Sequence, residues 1–263
     1  MSHETARPPI RKDIVYPDSD GEPMSDNEGS AQRMMDTWTG LRAAYRWSGA
    51  RAYVGMNLFV YPVEGKPWLR NSPDIFVAPG SSREPLRTSF RYWDEEGRVE
   101  FAGEVLSRTK RERLESPEVL ERVDFYANEL GTRELFLYEP LGFRFEDGFR
   151  FAFLRAGTDG RYHVVEPGED GWYRSEVLPY EFRPLDDRVE FRDPGTGEIF
   201  LPDSRRAERA EREAERADHE AERADHEAER AEREARARAA AEERLRELEQ
   251  EIERLRGNPP AAR

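Results

Sequence analysis

Two carboxylates stand in apolar company. Asp74 directly follows Pro73 in SPDIFV, and Glu104 lies inside FAGEVLS, among Phe101, Ala102, Val105 and Leu106. A buried carboxylate without a partner is costly, so each either faces solvent or is bound. Asp74 alone also reads as a turn or capping residue, and Glu104 alone as a sheet-edge residue facing water. The two are thirty positions apart. If their strands are neighbours, both carboxylates meet at one end of a sheet. Two carboxylates, several waters and a phosphate oxygen suit Mg²⁺. Such an ion activates water and stabilises charge on a phosphodiester in transit. Shortly after Glu104 comes RTKRER, in which Arg108, Lys110, Arg111 and Arg113 form a candidate phosphate-contacting loop. The same cluster also reads as an ordinary exposed basic turn.

The elements around these residues are well punctuated. Residues 1–28 are polar, acidic and Pro-bearing, and read as a flexible arm. Met34, Met35, Trp38, Leu41 and Tyr45 recur at helical spacing and predict an amphipathic helix. AYVGMNLFVYPV, DIFVAPG and RVEFAGEVLS read as strands, the first with a bulge or close approach at Gly55. SPEVLERVDFYANELG predicts a helix with Ser116 as N-cap, Pro117 in its first turn and Gly131 just past its end. Its stripe is Val119, Val123, Tyr126 and Leu130. RELFLYEP is a further buried strand, and FRFAFLR, RYHVVE, PYEFRPL and RVEFRD add strands separated by Gly/Asp turns. His163, in one of these runs, is expected to pack there.

After Pro202 the pattern becomes a heptad repeat. Ala207, Ala214, Ala221, Ala228 and Ala235 recur every seven residues, with Ala210, Ala217, Ala224 and Ala231 three residues after the first four. Leu245, Leu248, Ile252 and Leu255 form a stronger seam in a shifted frame. Residues 204–256 thus read either as a solvated single helix held by Glu–Arg pairs or as a coiled coil that makes a homo-oligomer. His219 and His226 lie off the seam and read as exposed polar filler. Residues 257–263 read as a disordered tail.

Composition narrows the classes. The chain has 263 residues, a net charge of −14 and no cysteine. The acidic balance argues against broad non-specific polyanion binding. The lack of cysteine excludes disulfides and thiolate metal sites. No apolar run approaches a membrane span and no secretory signal is visible, so a soluble, cytoplasmic protein is expected, with no membrane partner. Lysine is restricted to Lys12, Lys66 and Lys110.

SPDIFV, FAGEVLS and RVDFYANELGTRELFLYEPLG, in that order and spacing, resemble the Uma-type restriction endonuclease family of the PD-(D/E)XK nuclease superfamily. The resemblance spans residues 30 to 200. It implies an α/β fold in residues 29–203: a restriction-endonuclease-like mixed sheet core, helix-strand-strand-strand-helix-strand, with extra β-strands, ahead of the long C-terminal helix. It also implies that Asp74 and Glu104 ligate Mg²⁺ or Mn²⁺ and that Val105 offers its carbonyl. The superfamily's usual lysine, two residues past the Glu, falls on Leu106. Uma-type members supply it four residues before the helix tyrosine, and that position is Arg122, before Tyr126. Arginine keeps the charge but does not surrender a proton. Lys110 is the only lysine nearby in sequence. The implied activity is Mg²⁺-dependent hydrolysis of DNA, with Asp74, Glu104, Arg122 and Lys110 catalytic. The alternative is a nuclease fold without catalysis, serving as a nucleic-acid-binding or coiled-coil assembly module.

Overall fold

The computed structural model describes residues 14–19, 21, 25, 27–107, 110, 112–139 and 149–257. The chain divides into two units, residues 1–206 and 207–263. In the first, helix α1 (Glu28–Ser48) begins at Asn27, whose side chain accepts the Ser30 N–H at 2.9 Å. That bond satisfies one of the orphan donors at a helix start. Met34, Leu41 and Tyr45 are buried and Trp38 is half-buried, its indole N–H donating to the Val54 carbonyl. Met35 departs from the expected stripe and is exposed.

The first expected strand is two. β1 (Ala52–Gly55) and β2 (Phe59–Tyr61) are broken apart at Asn57, whose φ is +49°. Asn is one of the few non-glycine residues that adopts this conformation readily. Gly55 is the expected close approach: a Cβ there would lie 2.2 Å from the Phe76 ring. β3 (Ile75–Pro79), β5 (Phe101–Val105) and β6 (Glu134–Glu139) follow. Between β3 and β5, β4 (Ser89–Arg91) pairs in parallel with β2. β7 (Arg150–Ala156) and β8 (Tyr162–Val164) complete a six-stranded mixed sheet of order β1-β3-β5-β6-β7-β8. β1, β3 and β5 run antiparallel to their neighbours, and β5 pairs in parallel with β6.

A parallel pair requires a crossover. Here it is helix α2 (Pro117–Phe125), which continues as a π-helical turn over Tyr126–Leu130 before Gly131, at φ +66°, ends it. Ser116 occupies the N-cap position without capping. Its hydroxyl instead accepts the Arg113 N–H. A second sheet, of order β12-β11-β10-β9, is built from β9 (Tyr173–Arg174), β10 (Glu181–Pro184), β11 (Val189–Arg192) and β12 (Ile199–Phe200).

Strand alternation sends side chains of the main sheet into two cores. Val54, Ile75, Val77, Phe101, Phe136 and Tyr138 meet α1 and the second sheet, including Phe182 and Phe191. Phe76, Ala78, Ala102, Leu135 and Leu137 meet Val119, Tyr126 and Leu130 of the crossover helix, with Val60 and Phe90 of β2 and β4. Leu106, just past β5, joins this second core and is 1% exposed. Each large apolar side chain so buried contributes about 1.5–3 kcal/mol.

His163 corrects the expected packing: it is exposed and pairs with Asp159 at 3.0 Å, because its side chain stands on the open face of the edge strand β8. Of the N-terminal segment, Tyr16 packs edge-on against Tyr61, and its hydroxyl accepts the Gly65 N–H. Residues 1–13, 20, 22–24 and 26, most of the expected arm, and 258–263 of the expected tail lie outside the described residues.

Helix α3 (Asp203–Gly257) starts where the heptads were read to start. Its first turn belongs to the first unit: Ser204 donates to Asp36 and Arg205 to Asp187. From residue 209 to 254 every position is exposed, His219 and His226 included. Ion pairs such as Arg209–Glu213, Arg230–Glu234 and Arg236–Glu232 run along it at four-residue spacing. Leu245, Leu248 and Ile252 are half or more exposed in the single chain. Among the described residues no helix is long and apolar enough to cross a membrane.

Candidate active-site cleft

β3 and β5 carry the two carboxylates to one place. Ile75 faces Gly103 in their ladder, so one step further Asp74 faces Glu104. Parity places both on the side of the crossover helix, because Phe76 and Ala102 belong to that core. On the other side of β5 the Phe136 ring of β6 lies over Gly103, where a Cβ would come within 2.0 Å of it.

Glu104 is 2% exposed and fully engaged. Arg122 Nη1 donates to its Oε2 at 2.7 Å, and the Tyr126 hydroxyl donates to Oε1. Both donors come from successive turns of the crossover helix, four residues apart, the spacing that stacks side chains on one face. Tyr126 is also the residue at which α-helix turns to π-helix. Such turns recur at functional sites. Arg122 is shared: its Nη2 donates to Glu112 at 2.5 Å.

Asp74 is half-buried and differently held. Among the described residues its hydrogen bond is one backbone donor, the Val105 N–H to Oδ2 at 2.7 Å, and no ion pair is made to it. Val105 was expected to act by its carbonyl; the contact seen is through its N–H. The main chain before Asp74 is pinned by Asn57, whose N–H is shared between the Pro73 and Asp74 carbonyls at 3.0 and 3.3 Å.

These contacts set the electrostatics. Burial, then the facing charge of Glu104, holds the Asp74 pKa well above the usual carboxylate range, against the Val105 hydrogen bond. Burial also raises Glu104, opposed by Arg122 and Tyr126. Burial works against the Arg122 cation, but Glu104 and Glu112 outweigh it and its pKa lies above the ordinary value. Burial and the adjacent Glu104 push the Tyr126 phenol well up, so it stays a donor.

Asp74, Glu104, Arg122 and Lys110 line one open, polar cleft of about 330 Å³, together with Glu112, Arg70, Asn71, Ser72 and Phe59. Four residues read from the sequence thus share one wall. Lys110 reaches it because the chain after β5 folds back: its N–H bonds the Ser107 hydroxyl, and Glu112 accepts the Ser107 N–H at 2.8 Å. Arg113 is not part of the cleft. It pairs with the buried Glu139 at 3.0 Å. Arg108 and Arg111 lie outside the described residues.

The sequence reading missed Glu112 and Arg70. Nothing in the spacing marks Glu112 over Glu115, the acid nearer the helix. Arg70 stands four residues before Asp74, and nothing in its spacing marks it.

Among the described residues no group of three or more His, Asp or Glu side chains is arranged to hold a metal ion. Mg²⁺ does not need one, since one or two carboxylates with water and phosphate suffice. Each Glu104 oxygen keeps a lone pair beyond the one it gives to Arg122 or Tyr126. The donor set therefore fits a hard cation. No protein-family model, curated protein or solved structure matches the chain.

Proposed function

We propose that this cleft is the active site of a Mg²⁺- or Mn²⁺-dependent DNA endonuclease, on a restriction-endonuclease-like core. The support for that core is the order α1, β1, β3, β5, α2, β6, with three antiparallel strands and a parallel fourth joined by the crossover helix. It is the order the sequence resemblance implies.

The observation that carries the reading is the contrast between Asp74 and the chain's other buried acids. Glu134, Glu139, Glu181 and Glu190 are each closed by arginines as structural ion pairs, and Asp36 is closed by neutral side-chain donors from Gln32 and Ser204. Among the described residues Asp74 has neither: it sits opposite another carboxylate, at the wall of a cleft, with the Val105 N–H as its donor. An acid placed so gains little for the fold and is suited to a ligand. Asp74 and Glu104 would hold the metal, which supplies Lewis acidity toward water and phosphate oxygens.

The remaining roles fall to the chain's own groups. The cleft lining holds three acids, Asp74, Glu104 and Glu112, against three cations, Arg70, Lys110 and Arg122, so a phosphodiester meets no net negative wall. Arg122, fixed by two carboxylates, supplies positive charge and no proton transfer. Lys110 has the ammonium that can orient a water or balance charge on the phosphate. Tyr126 fixes the Glu104 carboxylate. The purified chain should nick plasmid or single-stranded DNA with Mg²⁺, and Asp74→Asn should abolish nicking. Equal nicking by wild type and by both Asp74→Asn and Glu104→Gln would overturn the assignment.

One observation favours the second reading, a non-catalytic nucleic-acid-binding or assembly module. Arg122 already closes Glu104 as the structural arginines close other acids. Under that reading Mg²⁺ leaves the melting temperature unchanged, and nicking appears only in Arg122→Lys. Homo-oligomerisation through the α3 leucine seam belongs to either reading.

A further inference from the structure

Six residues before Asp74, the chain displays its most exposed tryptophan. Trp68 is 72% exposed, whereas Trp172 is 4% exposed. It stands in the connection between β2 and β3, and that connection is tied down on both sides. The Gly65 N–H bonds Tyr16, the Leu69 N–H bonds the Lys66 carbonyl at 3.0 Å, and Arg70 Nη1 bonds the Pro67 carbonyl at 2.7 Å. Asn71 then bridges to Val60 through both its N–H and its carbonyl. A fixed turn therefore holds a large apolar ring in water, where nothing among the described residues covers it.

The neighbours of this ring are polar and basic. Residues 65–72 carry Lys66 and Arg70 and no acid, in a chain of net charge −14. Arg70 stacks on Phe59 and lines the cleft beside Asp74 and Glu104. Asn71 lines it too, and its side-chain amide nitrogen is buried without an acceptor among the described residues. Trp68 and Arg70 are two residues apart, so their Cα atoms lie within about 7 Å. An exposed aromatic ring thus lies two residues along the chain from a cation that lines the cleft.

Resting on the nuclease reading, we propose that the Lys66–Asn71 turn is the substrate clamp, and that its substrate is an unpaired DNA strand. Trp68 stacks on a base next to the scissile phosphate, Arg70 and Lys66 hold the flanking phosphates, and Asn71 donates to an acceptor of the nucleotide. An unpaired base offers the open π-face that stacking requires; a base pair inside a duplex does not. The charge balance points the same way. A long duplex is held mainly by many phosphate contacts, which this acidic chain lacks. One stacked base and two cations suit a short single strand.

The test is binding of the full chain, in EDTA, to a labelled twelve-nucleotide dT strand and to a blunt hairpin duplex. The single strand should bind more tightly, with tryptophan quenching and a salt slope of about −1.4, the value for two phosphate contacts. Trp68→Ala should weaken strand binding by about ten- to a hundredfold, the worth of one stacked base, and Trp68→Phe should restore most of it. Leu86→Ala, at another exposed apolar residue, should change nothing. Equal strand affinity for wild type and Trp68→Ala, or equal affinity for strand and duplex, overturns the clamp. The two readings fail separately. Trp68-dependent binding without Mg²⁺-dependent nicking refutes the nuclease and keeps the clamp. Asp74-dependent nicking of single strands that is indifferent to Trp68→Ala refutes the clamp and keeps the nuclease.

Discussion

Asp74→Asn should stabilise the fold at alkaline pH. The substitution keeps the acceptor for the Val105 N–H and removes the charge that faces Glu104. Facing residues of an antiparallel pair have Cα atoms about 4.5–5.5 Å apart. Two carboxylates about 5 Å apart repel by about 3 kcal/mol at an effective dielectric of 20. Arg122, bonded to Glu104, offsets part of this, which leaves about 1–2 kcal/mol. At roughly 2–4 °C per kcal/mol for a chain of this size, the variant should melt about 2–8 °C higher without divalent metal. The pH sign follows from the raised Asp74 pKa. Below the carboxylate's ordinary value, 3.8, both folded and unfolded wild type are protonated and there is no penalty. As pH rises toward the folded pKa the unfolded chain binds fewer protons, so wild-type stability falls. The advantage of Asp74→Asn therefore grows from about pH 4 upward and levels off above the folded pKa. Urea denaturation in EDTA from pH 4 to pH 8.5 measures it. A variant less stable than wild type at pH 8, or an advantage as large at pH 4, would refute the reasoning. Mg²⁺ should erase the difference by stabilising wild type alone.

Glu104, unlike Asp74, is held by an arginine. Arg122→Ala leaves its buried carboxylate with Tyr126 as sole side-chain partner and should cost about 3 kcal/mol, read by the same denaturation; a loss below about 1 kcal/mol would show that Arg122 contributes little to the fold. Gly103→Ala drives a methyl group into the Phe136 ring and should cost about 1–3 kcal/mol, whereas an unchanged melting point would mean the strands can move apart freely. Joint replacement of Leu245, Leu248 and Ile252 by Ser should convert an oligomer to a monomer by light scattering. Identical masses before and after would remove the seam from the account.

The carboxylates were legible because strands alternate. Once Phe101 and Phe76 are assigned to opposite cores, the faces of Glu104 and Asp74 follow. The crossover helix was legible from Pro117, Gly131 and its apolar stripe. Short pairings were not: β4, β9 and β12 hold two or three residues each and exist only because a neighbour completes them. Lys110 enters the cleft through the Ser107–Glu112 turn, a side-chain to backbone contact that leaves no periodic trace. Arg113 shows the converse. It lies in the same basic run, yet the buried Glu139 of β6 claims it, and sequence spacing does not reveal that competitor.

Leu106 gives the site a history. It follows Glu104 by two positions and is sealed among the residues that seat the crossover helix, Val119 and Tyr126. A lysine placed there would have to push an ammonium through that seal, which selection for a folded chain would remove before any gain in chemistry was felt. A cation for this cleft therefore comes from the helix, the returning loop or the connection before β3, and not from position 106. Drift that empties position 122 or 110 cannot be repaired from the strand, so whichever of the two first became indispensable would fix the lineage's later options.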